Sequence, residues 1–119
     1  MTDTIKVAVI GAGMMGKNHL KTYKGLNGVE LVGVYDIFPE ACKAAAETFG
    51  IKAFSSLEEV AENVDAVSVV TTSVTHAEVG EFFLNRGIHC LMEKPLATTE
   101  AECQRLISAA KNNNVTLLV

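Results

Sequence analysis

The sequence predicts an α/β protein built on a doubly wound, six-stranded parallel sheet with helices on both faces. Three observations point there. Short runs rich in β-branched residues alternate with longer stretches that carry helix start and stop signals. The runs are bounded by Gly, Asp or Asn and suit strands buried on both faces of a parallel sheet. Strand and helix signals follow each other as βαβαβ twice over, which right-handed crossovers resolve into three layers.

Taken in order, Ile5–Ile10 forms the first strand, and three glycines lead from it into the first helix. Residues 30–35 form the second strand. Pro39 then stands where a first-turn proline is tolerated, and Gly50 stands where that helix closes. A weaker run, residues 51–54, is the third strand. Ser56-x-x-Glu59 has the pattern of a capping box, whose side chains satisfy free N–H groups of a first turn. Residues 66–70 are the fourth strand, and the polar stretch TTSVTH leads from it into a helix that Gly87 ends. Residues 88–92 are the fifth strand, Thr99-x-x-Glu102 is a second capping box, and residues 115–119 are the sixth strand.

At 119 residues the chain is one domain's worth, against about 100–200 residues for a typical domain. A domain of this size buries roughly two thirds of its unfolded surface and needs no disulfide or metal to hold a core. Cys42, Cys90 and Cys103 lack CxxC spacing and read as reduced thiols filling the core. The net charge of −4, with ten scattered Lys and Arg, argues against nucleic acid or an anionic membrane as partner. The first residues, MTDTIKVAVI, show no signal-peptide pattern. No apolar run approaches the ~18 residues of a membrane span, so a cytoplasmic location is expected.

The glycines carry the chemistry. Gly11, Gly13 and Gly16 form G-x-G-x-x-G between a strand and a helix, and Asp36 follows Gly16 by twenty residues at the end of the second strand. Gly11 permits the tight turn, Gly13 lets a pyrophosphate approach the backbone, and Gly16 packs the helix on the sheet. The N–H groups at Met14 and Met15 and the positive end of the helix dipole then face the anion. The Asp36 carboxylate accepts hydrogen bonds from an adenosine ribose and repels a 2′-phosphate. Ile37, Phe38 and Pro39 offer no arginine to offset that repulsion, so NAD is expected over NADP. A turn aspartate before Pro39 is the plainer reading of the same residue.

Two more stretches lie at the carboxyl ends of later strands, where open α/β sheets bind ligands. Thr71, Thr72 and Ser73 suit contacts to ribose or phosphate, or helix caps. His76 suits a cofactor contact or a satisfied structural histidine. Glu93 and Lys94 end the fifth strand before Pro95. They suit a solvated ion pair, or a lysine that hydrogen-bonds a substrate hydroxyl and stabilises the developing alkoxide.

GAGMMGKNHL, Asp36, the loop to His76, and Glu93-Lys94-Pro95 together resemble the glucose–fructose oxidoreductase and inositol dehydrogenase family, Gfo/Idh/MocA. The resemblance spans the whole chain but only the N-terminal, Rossmann half of that family. It implies an oxidoreductase in which NAD(P) takes a hydride from a secondary alcohol of a sugar or polyol. It also implies Lys94 as catalytic residue, with Glu93 and Pro95 as neighbours and Lys94–Pro95 as a candidate cis bond. Thr72 departs from the proline that many relatives place four residues before the matching histidine. Relatives continue into a second α/β domain that holds the substrate pocket and usually the oligomer interface, so this chain is expected to bind cofactor with little turnover. An NAD-sensing regulatory module and an S-adenosylmethionine methyltransferase are the competing readings. Self-association through the sixth-strand edge is expected as well.

Overall fold

The computed structural model describes residues 4–119. Among these, the elements in chain order are β1 (Ile5–Ile10), α1 (Met14–Lys24), β2 (Val29–Tyr35), α2 (Pro39–Phe49), β3 (Lys52–Ala53), α3 (Leu57–Ala61), β4 (Ala66–Val69), α4 (His76–Leu84), β5 (His89–Met92), α5 (Glu100–Asn112) and β6 (Leu117–Leu118). A single 3-10 turn, Ser73–Thr75, precedes α4. All six strands are parallel, in the order β3-β2-β1-β4-β5-β6. The chain moves outward from β1 to β3 and then crosses back to β4. That reversal opens a crevice between the carboxyl ends of β1 and β4, where such sheets bind ligands.

Alternation along β1 divides the core. Val9 packs with Leu20 of α1, Val34 of β2 and Cys42, Ala45 and Ala46 of α2. Ala8 and Ile10 point the other way, into a larger cluster with Val67, Phe83, Leu84, Met92 and Leu106. Side chains of successive strand residues face opposite sides, so two clusters on one strand mean helices on both faces of the sheet. The predicted three-layer fold is therefore the observed one.

Strand ends differ from the sequence reading where a helix is still closing. Gly50 is left-handed (φ 67°) and Ile51 donates its N–H to the Ala46 carbonyl, so β3 begins only at Lys52. Ile88 bonds back to Phe83 and Val115 to Ala110 in the same way, which delays β5 and β6. The expected five-residue last strand is reduced to Leu117–Leu118. Both capping boxes form with one shift. Ser56 and Thr99 accept the N–H of Glu59 and Glu102, but those carboxylates reach past the cap residue to the N–H and hydroxyl of Ser55 and Thr98. The Ser55 N–H and the Thr98 hydroxyl, as the leading causes, hold the two carboxyls below the ordinary glutamate range.

Cys42 and Cys90 are buried and Cys103 is half-buried, all with free thiols. No helix among the described residues is long and apolar enough to cross a membrane.

Candidate dinucleotide site

The three glycines are required for different reasons, and the structure separates them. Gly11 has φ +113°, and a Cβ there would lie 2.5 Å from the Val70 carbonyl oxygen. A Cβ at Gly16 would be driven into the carbonyl of Gly11 itself. Gly13 has an ordinary extended backbone (φ −77°, ψ −166°), and a Cβ there would meet no protein atom within 4 Å. Protein sterics therefore explain Gly11 and Gly16 but leave Gly13 unexplained. Gly13 is the N-cap of α1, where no side chain caps the helix and no acidic residue occupies the first turn. Met14 and Met15 are exposed at the mouth of α1. A helix end that is positively polarised and capped by no side chain fits a diphosphate.

Asp36 ties the loop together. One carboxylate oxygen accepts the Ala12 N–H at 2.7 Å and the other accepts the Phe38 N–H at 2.8 Å. The plainer turn reading is thus realised, and it leaves acceptor capacity, because a carboxylate has about four lone-pair sites. Beside it lies a cavity of about 390 Å³ whose walls include Gly11, Asp36, Phe38, Leu57, Thr71 and Val79. Asp36 and Glu78 are the charged residues on its wall, and no Lys or Arg lines it. Leu57 and Val79 went unnoticed in the sequence, and Phe38 was noted only as a residue that is not arginine, since neither spacing nor composition marks a cavity wall.

The loop after β4 is braced internally. The Thr75 hydroxyl lies 2.7 Å from both the Thr71 hydroxyl and the Thr72 carbonyl, whereas the Thr72 side chain caps nothing. His76 is buried at 1% exposure. Its Nδ1 lies 2.8 Å from the Pro95 carbonyl oxygen and its Nε2 lies 3.1 Å from that of Thr71. Both ring nitrogens face backbone carbonyls, so neither is left to meet a ligand. That arrangement is the satisfied structural histidine that the sequence offered beside a cofactor contact. The ring ties the loop after β4 to the segment that follows Lys94.

Glu93 donates its N–H to the Val69 carbonyl at 3.0 Å, continuing the sheet by one residue. Its carboxylate turns toward α1 and meets His19 Nε2 at 3.2 Å. Lys94 is exposed, and among the described residues no hydrogen bond or ion pair holds its amine. The Lys94–Pro95 bond is cis, as the resemblance implied. A second cavity, of about 320 Å³, lies here, lined by His19, Leu91, Met92, Glu93, Lys94 and Val119. His19 was missed in the sequence. The available signal was its place three residues after Gly16, which puts both on one face of α1.

Residues 5–119 match the family model GFO_IDH_MocA, described as an oxidoreductase family with an NAD-binding Rossmann fold. The chain belongs to the Gfo/Idh/MocA family. It is an NAD(P)-binding domain of oxidoreductase type. Among its relatives is a UDP-N-acetylglucosamine 3-dehydrogenase of Acidithiobacillus ferrooxidans, 34% identical over 115 residues that make up 97% of this chain and 36% of that protein. A scyllo-inositol 2-dehydrogenase (NADP(+)) of Bacillus subtilis is 35% identical over 117 residues, 96% of this chain and 36% of the other. The crystal structure of GenD2 from gentamicin A biosynthesis, in complex with NAD, superposes with TM-score 0.93 at 29% identity, over 99% of this chain and 34% of that one. The Gfo/Idh/MocA domain described here thus spans about a third of the length of the relatives it matches.

Proposed function

We propose that this domain binds NAD in preference to NADP. On this reading it forms the cofactor half of an oxidoreductase acting on a secondary alcohol of a sugar, nucleotide sugar or polyol. The single observation behind the reading is the mouth of α1: Gly13 opens onto space that no protein atom fills, at a helix end that no side chain caps. In this assignment Gly11, Gly13, Met14, Met15 and Gly16 cradle the diphosphate, Asp36 holds the adenosine ribose, and Thr71 and Thr72 wall the crevice. Glu93, Lys94 and Pro95 form the nicotinamide end.

The preference for NAD rests on charge. The adenosine-side cavity carries Asp36 and Glu78 and no cation. A 2′-phosphate about 4 Å from the Asp36 carboxylate would cost on the order of 1–4 kcal/mol. Relatives include an enzyme of NADP(+), so the preference comes from this chain's own residues.

The nicotinamide, when bound, supplies the hydride acceptor. The chain's contribution at that end is Lys94, whose uncommitted side chain can donate a hydrogen bond to the substrate oxygen and stabilise negative charge developing there. Turnover further requires the alcohol to be held about 3–3.5 Å from the acceptor carbon. The chain spans about a third of the relatives' length, and on this reading residues 1–119 alone bind cofactor and turn over little. The remaining two thirds of the relatives' length is where we place the substrate pocket.

Calorimetric titration of NADH, NADPH and S-adenosylmethionine in parallel tests the proposal. NADH should bind at least tenfold more tightly than NADPH, and S-adenosylmethionine should not bind. Tighter NADPH binding would refute the role of Asp36, and the absence of any nicotinamide nucleotide binding would refute the whole reading.

A further inference from the structure

We propose that His19 is a positioning residue: by gripping the Glu93 carboxylate it fixes the segment carrying Lys94 against the phosphate-facing helix and shapes the nicotinamide end of the site. The inference rests on the dinucleotide reading above.

Glu93 and Lys94 are adjacent and of opposite charge, so the simplest arrangement would be a pair between them. The structure avoids it. Consecutive residues at a strand end point to opposite sides, and the Glu93 side chain leans toward α1 while Lys94 is left exposed. A carboxylate whose side chain is only 27% exposed needs a partner. Its hydrogen-bond partner among the described residues is His19 Nε2, at 3.2 Å, on a side chain 16% exposed. Giving Glu93 to a histidine keeps the Lys94 amine uncommitted beside the cavity they share.

The tie also has direction. His19 lies in the second turn of α1, the helix whose first turn faces the proposed diphosphate. One turn further along, the Tyr23 hydroxyl meets Ser68 Oγ of β4 at 2.5 Å. On the far side of Lys94, the Pro95 carbonyl is held by His76. Lys94 is therefore flanked by two anchored neighbours, and the Glu93 anchor runs directly to the cofactor-facing helix.

Two ligands separate this role from a merely structural one: NADH, and ADP-ribose, which has the same adenosine and diphosphate but no nicotinamide. In residues 1–119, His19→Ala should weaken NADH about tenfold, equivalent to about 1.4 kcal/mol, and leave ADP-ribose affinity unchanged. His19→Gln, which retains a donor, should restore most of the loss. An unchanged NADH to ADP-ribose affinity ratio in His19→Ala overturns the proposal, as does a glutamine variant no better than alanine. Wild-type protein that binds ADP-ribose but shows no variant effect defeats this inference alone. Wild-type protein that binds neither ligand defeats the dinucleotide reading beneath it.

Discussion

Replacing Gly13 with alanine should separate folding from binding. The backbone there is extended, and the added methyl meets no protein atom within 4 Å, so no clash opposes it. Two small effects remain. Alanine narrows the unfolded ensemble, which favours folding by about 0.4–1 kcal/mol. It is also a poorer N-cap residue than glycine, because its methyl shields the free amides from water, at a cost of up to about 1 kcal/mol. These offset, and the melting temperature should move by no more than a few degrees. Binding should behave otherwise, because the methyl projects into the space proposed for the diphosphate. Loss of one amide contact to a charged oxygen costs about 1.5–3 kcal/mol, or roughly tenfold to a hundredfold in affinity. Gly16→Ala is the contrasting control. Its Cβ would collide with the Gly11 carbonyl, a backbone atom that cannot swing aside, so it should destabilise the fold by about 3 kcal/mol or more. The assay is a pair of thermal melts by circular dichroism with NADH calorimetry on each variant. Gly13→Ala protein that melts as low as Gly16→Ala, or that binds NADH like wild type, would refute the reasoning.

Asp36→Ala should lower stability as well as NADH affinity, because the Ala12 and Phe38 N–H groups both lose their acceptor; about 1–3 kcal/mol is expected in urea melts. Thr99→Ala removes the acceptor for the Glu102 N–H at the start of α5 and should cost about 1 kcal/mol, read the same way. Burial pushes the Cys90 thiol up to about 12. Its folded-state value is raised, so its contribution is fully present below the ordinary thiol range and is lost as pH rises from about 9 towards 12. Stability should fall there by up to about 1.4 kcal/mol per pH unit. Cys90→Ala should flatten that slope even while lowering stability at neutral pH, and an unchanged slope would count against the thiol as its source.

Much of the fold was legible because its signals are local. β-Branched runs, a first-turn proline, the serine and threonine caps and the glycine ends each act within a few residues, and the parallel sheet follows from their alternation. Strand ends were less legible, since the backward bonds of Ile51, Ile88 and Val115 compete with the sheet for the same residues. At the site, spacing and residue type were enough to mark Gly11, Gly13, Gly16 and Asp36 as candidates. The fingerprint already divided their roles, with Gly13 for the ligand and Gly11 and Gly16 for turn and packing, but only the structure named the carbonyls of Val70 and Gly11 that fill the space at the latter two.

By itself, then, the order of residues determined the layers of the sheet and the turn that opens at its edge, because helix and strand preferences and left-handed glycine turns are properties of short segments. Only the tertiary structure decided what the histidines do. His76 closes between residues 71 and 95, and His19 reaches a carboxylate 74 positions away. Those partners meet because β4 and β5 come to lie beyond β1 in the sheet, and a side chain's reach is set by strand order in space rather than by distance along the chain.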